Sequence, residues 1–431
     1  TTSIPPTTTT TFDPSQPWWM QTNFAPVTSE VESTSLTVRG AIPPELIGTY
    51  VRNGSNPASG PSPHWFFGDG MVHGVRLEGG RAVAYRNRYV RTPLYEEGLG
   101  FGEGPPGGAS NQSNVSAVWH AGKLLTSGEV GFPFELDPTE LTTRGAHDFA
   151  GRLTSAFTAH PKIDPVTGRM HSFGYGFTPP YLTYHVVEPD GTMTHVETND
   201  LPNSTMIHDF AITETDAVFW DLPVVFDLQA AIAYIDDPDG GGFPYRWTPE
   251  AGARIGVMPL AGGASELRWF DIDPCYAFHG VNAFRRGDEV VIDICRLSRM
   301  FAEGDLFGGE SSLRRWTVDT VSGRVSDDVL TDVNPGDLPS RNPRLDGRPR
   351  RPHQARLPDE HPRGVGSRRE RALRRVAVHP GRRRHGRGRR VVARLRARRR
   401  HRSHRPRDRR RHGGARRPRG PDRDAPARAL W

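Results

Sequence analysis

GVRLEGGRAVAYRNRYVRT, residues 74–92, holds two runs rich in Val, Ala and Tyr, joined at EGGR. β-branched and aromatic residues suit a pleated, half-buried surface, and a Gly-Gly pair supplies the positive φ that a tight hairpin needs. The stretch reads as two antiparallel strands. The same signature recurs outward from it in GTYVRNG (48–54), AVWHAGKLLTSG (117–128), YLTYHVVEPDGTMTHVET (181–198), DFAITETDAVFWDLPVVFD (209–227), ELRWFDID (266–273), DEVVIDIC (288–295) and RRWTVDTVSGRVSDD (314–328). The links HAGK, PDGT, TETD, RRGD and VSGR again place turn-forming residues between runs, so consecutive strands are expected to pair antiparallel.

Amphipathic helices longer than ten residues are scarce, and no G-x-G-x-x-G opens a helix after a strand. A nucleotide-binding α/β fold is therefore not expected. About ten hairpin-linked strands in roughly 310 residues exceed one sandwich and fit a ring of small sheets, a β-propeller with longer loops on one face; a large barrel is the competing architecture.

The chain has 431 residues and a formal charge of +7, but that average conceals two compositions. Residues 1–348 carry 25 basic and 43 acidic residues, whereas 349–431 carry 31 arginines and 6 acidic residues. The last 83 residues contain no Phe, Tyr, Ile, Met, Cys or Lys, and Trp431 is their one aromatic. Such a segment lacks the apolar surface that offsets chain entropy, and it is expected to be disordered. Residues 1–35, rich in Thr, Pro and Ser, read as an extended arm lying over a neighbouring surface. Cys275 and Cys295 are too few for a disulfide framework or a Cys-based zinc module. No run of 18 apolar residues is present, and the opening TTSIPPTTTT has neither a basic nor an apolar targeting region. A cytoplasmic protein is expected, although the start at Thr1 without Met leaves room for residues trimmed upstream.

Ten histidines precede residue 349, and a lone histidine in a strand is ordinarily a satisfied structural residue. Three have a different context. His160 in FTAHPKID, His208 in TMIHDFAIT and His279 in YAFHGVNAF each sit where an apolar run meets a turn, the point at which a strand hands a side chain to an axial cavity. Spacings of 48 and 71 residues place them in different sheets, which suits a metal on a propeller axis and is unlike a helical H-E-x-x-H site. Imidazole ligation suits iron, copper, zinc or nickel, and does not choose among them. Such ligands need an acceptor for the second ring N–H, and Glu129 in TSGEVGF could serve; the alternative is a solvated strand-end residue.

With these motifs in order, the chain resembles the carotenoid cleavage oxygenase family over roughly Leu36 to Arg348. GAIPPELIGTYVRNGSNP (40–57) followed by HWFFGDGMVHG (64–74) is similar to the family's opening segments, although Ser55 stands where proline is usual. HAGKLLTSGEVGFPFELDP (120–138), AHPKIDPVTGRMHSFGYG (159–176), MIHDFAITETDAVFWDLPVVFD (206–227) and FHGVNAF (278–284) follow in family order. The resemblance implies a seven-bladed propeller with Fe(II) on its axis, held by four histidines and covered by loops that form a hydrophobic tunnel. It assigns His160, His208 and His279 as three ligands and Glu129 as a carboxylate behind them. It places a further such acid at Asp337 in DLPSRNPRLDGRP, where the family has a longer side chain.

The fourth ligand departs from the pattern. The family places it near the C-terminus in a Phe-His-Gly context, and no such segment follows Arg348 here. Residues 349–431 have the composition of a GC-rich gene read out of frame, and their seven histidines lack a ligand-like context. A nucleic-acid-binding arm is the functional alternative, but arginine without stacking aromatics gives only non-specific phosphate binding. The implied activity is oxidative cleavage of a conjugated C=C bond in a carotenoid or apocarotenoid by Fe(II) and O2, giving two carbonyls. Missing one ligand, the chain is expected to hold iron weakly. A stilbene-cleaving member of the family and a non-catalytic propeller that binds partners are the alternatives. Stilbene cleavers carry a lysine just before the Glu129 position; here it is Gly128, and the only lysines are Lys123 and Lys162. Expected partners are a hydrophobic polyene or stilbene and O2, with room for a peripheral membrane contact in substrate uptake and no specific nucleic acid.

Overall fold

The chain folds into hairpins closed by the turns that the sequence marks. At HAGK, Ala121 and Gly122 adopt φ of 49° and 77°, and Ser116–His120 pairs antiparallel with Lys123–Ser127. EGGR, PDGT, TETD, RRGD and VSGR likewise join antiparallel neighbours. The computed structural model describes residues 12–58, 60, 62, 64–100, 108–236, 243–303 and 309–331, all within one compact unit, Thr1–Ala377. A second unit, Val378–Trp431, lies outside the described residues, as do Asp337 and the whole of 349–431.

Five four-stranded antiparallel sheets form the blades. Blade 1 contains β1 (Glu32–Ser33), β2 (Gly48–Ser55), β3 (Gly70–Glu78) and β4 (Arg81–Tyr89), in spatial order β1-β4-β3-β2. Its outer strand therefore comes from the N-terminal segment, which is also held by Asn56 and Asn87 side chains bonding the backbone of Val27, Ser29 and Val31. The next two are simple meanders. Blade 2 is β5 (Ser116–His120), β6 (Lys123–Ser127), β7 (Phe134–Leu136) and β8 (Thr143–Ala146); blade 3 is β9 (Lys162–Ile163), β10 (Met170–Tyr175), β11 (Leu182–Val187) and β12 (Met193–Asn199).

Blade 4 begins with β13 (Ala211–Ile212) and β14 (Asp216–Asp221). A two-stranded ribbon, β15 (Val224–Phe226) with β16 (Tyr245–Trp247), and the helix α1 (Leu228–Asp236) intervene before β17 (Ala253–Pro259) and β18 (Arg268–Ile272) complete it. Blade 5 is β19 (Gly280–Arg286), β20 (Glu289–Leu297), β21 (Ser311–Asp319) and β22 (Val325–Thr331). No ladder joins one sheet to the next among the described residues, so the strands do not form one closed barrel. The runs quoted as strands leave out β1, β7 to β10, β16, β17 and β19, and of these β1 and β9 are only two residues long, too short for a periodic signal.

Alternate faces of neighbouring blades bury the core. Phe173 and Tyr184 from blade 3, Phe219 and Trp220 from blade 4, and Ile292 and Trp316 from blade 5 are essentially inaccessible to solvent and belong to one continuous apolar cluster. Smaller clusters join blade 1 to blade 2 through Val72, Leu124 and Leu136, and blade 2 to blade 3 through Leu125, Phe157 and Met170. The GDG of residues 68–70 is required by close approach. A Cβ on Gly70 would lie 2.3 Å from the Ser113 carbonyl oxygen, so the strand can run against the entry to blade 2 only without a side chain there.

Candidate metal centre

His160, His208 and His279 occupy equivalent places: each lies one to three residues before the first strand of blade 3, 4 or 5. Buried neighbours fix each segment. Phe157 and Ala159 are fully buried ahead of His160, and the Thr158 side chain accepts the His160 N–H at 2.9 Å. Met206, Ile207 and Phe210 are buried around His208, with Phe210 stacked on Phe219 at 5.7 Å. Ahead of His279, the Trp220 indole donates to the Ala277 carbonyl at 3.2 Å. These apolar anchors leave the imidazoles directed toward a common point.

The three rings meet there. His160 Nε2 lies 3.0 Å from His208 Nε2, and His208 Nε2 lies 3.1 Å from His279 Nε2. One ring nitrogen from each of the three falls within 4.8 Å of the others. Behind His208, Nδ1 donates to Glu129 Oε1 at 2.7 Å. That bond leaves the His208 Nε2 lone pair facing the other two rings. Burial pushes the Glu129 carboxyl up, but the His208 charge and hydrogen bond, a hydrogen bond from Tyr175 and the charge of His279 outweigh it and bring the carboxyl below its ordinary value. Tyr175 is itself raised well above the usual phenol range, first by burial and then by the nearby Glu129 charge.

The donor set suits a transition-metal ion. Nitrogens 3.0 and 3.1 Å apart are close enough for a single ion to be held by all three imidazoles through metal–nitrogen bonds of about 2.1 Å. Three imidazoles would not by themselves fill the coordination sphere of such an ion. Of the residues singled out from sequence, the structure brings Glu129, His160, His208 and His279 together, while Asp337 lies outside the described residues. Tyr175 was not singled out. Its sequence context, a tyrosine in a strand rich in apolar residues, carries no signal that its hydroxyl reaches Glu129 from blade 3.

Comparison with known proteins fits this geometry. The family profile described as Retinal pigment epithelial membrane protein matches residues 24–353. A carotenoid cleavage oxygenase of Mycobacterium tuberculosis is 38% identical over 386 residues, covering 78% of this chain and 77% of that protein. The chain belongs to the carotenoid cleavage oxygenase family. Among solved structures of that family, the lignostilbene dioxygenase of Pseudomonas brassicacearum superposes with a TM-score of 0.64 at 30% identity, over 72% of this chain and 69% of that one. The apocarotenoid oxygenase of Synechocystis, solved as a variant, gives 0.62 at 27% identity over 71% of each chain. Carotenoid cleavage oxygenases are non-haem iron enzymes on a seven-bladed β-propeller. The five described blades and the three-imidazole cluster of this chain agree with that architecture.

Proposed function

We propose that His160, His208 and His279 hold Fe(II), and that the protein uses O2 to cleave a conjugated C=C bond of a carotenoid or apocarotenoid into two carbonyl products. The observation that carries this reading is the convergence of three imidazole Nε2 atoms, one oriented by Glu129, beside a row of aromatic side chains. Phe278 packs edge-on against His208 at 5.2 Å, Phe301 lies 6.2 Å from Phe278, and Phe243 stacks on Phe301 at 4.4 Å. Phe67 and His64 continue the row at 6.1 and 5.8 Å from Phe243. Burial holds the His64 imidazole down to about 4, so it stays neutral and offers a polyene another uncharged surface.

Iron supplies the O2 chemistry that no side chain offers. The chain's own residues orient the imidazoles, exclude water and grip an apolar substrate along the aromatic row. The row ends near Trp65, which stacks on Phe66 and packs edge-on with Trp18 and Phe24; Phe24 is 48% and Phe66 37% exposed. Exposed rings at that end support uptake of the polyene from a lipid surface by a cytoplasmic protein, and no described helix is long and apolar enough to cross a membrane.

A phenolic stilbene is not favoured. A Cβ on Gly128 would lie 3.2 Å from Asn111 Oδ1 and 3.3 Å from the Ser113 nitrogen, so a lysine that could grip a phenol there would displace both. In the same reading, the run after Arg348 is out of frame, Asp337 is a further carboxylate behind the ligands, and the fourth imidazole belongs to the in-frame continuation.

Incubating the iron-loaded protein with an apocarotenal under 18O2 tests this. One labelled oxygen in each of two carbonyl products is expected, at a higher rate once the frame is restored. Cleavage of a hydroxystilbene but not the polyene, or no cleavage by either form, overturns it.

A further inference from the structure

Asp209 follows His208 and is 2% exposed. Its Oδ1 accepts from Lys162 Nζ at 2.7 Å and from the Phe210 N–H at 2.9 Å, and its Oδ2 accepts from the Gly280 N–H at 3.3 Å. Lys162 lies two residues after His160, and Gly280 directly follows His279. One carboxylate thus touches all three segments that present the imidazoles. Lys162, one of two lysines in the chain, also sits 5.7 Å over the Phe210 ring, which fixes its ammonium from a second side.

We infer that Asp209, with Lys162 as its counter-charge, is a positioning residue that sets the mutual placement of His160, His208 and His279. In blades 3 and 4 the strands that follow these segments are short. β9 joins β10 through only two residue pairs, and β13 joins β14 through two. Blades 3 and 4 therefore present their ligands from strands that two rungs of ladder hold. A buried ion pair is weak evidence for stability, since an apolar pair of similar volume packs as well. What the pair adds is direction, because a carboxylate with three donors at fixed angles admits one arrangement of the chains that carry them.

The inference rests on the metal-site reading for its consequence and on geometry for its substance, and the two can fail separately. Co(II) added to the metal-free protein is followed by its visible d–d absorption. Asp209→Asn and Lys162→Met each lower Co(II) affinity by about 10- to 100-fold and change the band shape, the range found when partners behind ligands are removed. Lys162→Arg restores affinity to near that of the unaltered protein. Asp216→Asn is the control: it breaks the two-bond Arg285–Asp216 pair between blades 5 and 4, so it lowers the melting temperature while leaving Co(II) affinity and spectrum unchanged. Crystal structures of the metal-free variants show the 3.0 and 3.1 Å Nε2 separations widened in Asp209→Asn and kept in Asp216→Asn. Unchanged Nε2 separations in Asp209→Asn, or equal loss of affinity in both aspartate variants, overturns the inference. If the unaltered protein takes up no Co(II), the metal reading falls and the crystal structures decide the positioning role by themselves.

Discussion

Two groups of histidines lie within the same five blades and have opposite surroundings. His171 on β10 and His185 on β11 are 2% and 0% exposed, deeper than the axial three. His171 Nδ1 meets the Tyr184 hydroxyl at 2.6 Å, and His185 is bracketed by the hydroxyls of Ser155 at 2.9 Å and Ser172 at 3.4 Å. Hydroxyls donate or accept as needed, so both His185 nitrogens and His171 Nδ1 are paired locally, while His171 Nε2 is buried with no hydrogen-bond partner among the described residues. His160, His208 and His279 instead come from three blades and present nitrogens to one another, with a carboxylate behind one. Burial does not distinguish a metal site from a structural histidine; what a ring nitrogen faces does.

Substitutions test that contrast. Truncation of an axial ring has the largest effect: His208→Ala abolishes measurable metal uptake and alkene cleavage, read by metal analysis and loss of polyene absorbance, while the circular dichroism spectrum stays that of the folded protein. Retained uptake would move the site elsewhere. Glu129→Gln, which keeps the shape but replaces the anionic acceptor, lowers metal affinity by about 10- to 100-fold, measured by competition with a chelator.

The blade histidines respond in stability instead. Burial holds the His171 imidazole down to about 4 in the folded protein, whereas the unfolded chain protonates near 6.5. Between those values the unfolded state binds more protons, so this contribution is complete above pH 6.5 and is lost as pH falls toward 4. At pH 5 His171 should cost about 2 kcal/mol relative to pH 7.5. His64 works in the same window for the same reason. His171→Phe flattens that part of the pH dependence in denaturant titrations and leaves metal affinity unchanged. An undiminished pH slope would show that His171 titrates normally. The smallest effect is expected from Tyr184→Phe, which removes the hydroxyl facing His171 and costs about 1–2 kcal/mol of stability. Any change in metal affinity there would blur the division between the two groups.

The hairpins were legible because each turn announces itself within four residues, and six of them connect antiparallel neighbours where the turn residues indicated. The imidazole contexts were legible for a related reason: each histidine follows an apolar run that anchors its segment locally. Tyr175 and Asp209 were not, because their roles exist only across blades. Nothing in HDF tells that its aspartate will reach a lysine 47 residues earlier and an amide 71 residues later. The inserted ribbon β15–β16 was missed as a separate sheet because DLPVVFD reads as a continuation of β14, and only the bridge from Thr205 to Val225 and the pairing with Tyr245–Trp247 pull it away.

That each imidazole comes from a different blade also bears on the order in which the molecule forms. Hairpins close between neighbours in sequence, so blades can form early, whereas ring nitrogens 48 and 71 residues apart meet only after long loops have closed. The cluster is thus expected among the last contacts to be made. Its capacity to bind a metal ion marks arrival at the native topology, and a chain that stalls with individual blades formed would look folded by its strand content yet remain unable to take up the ion.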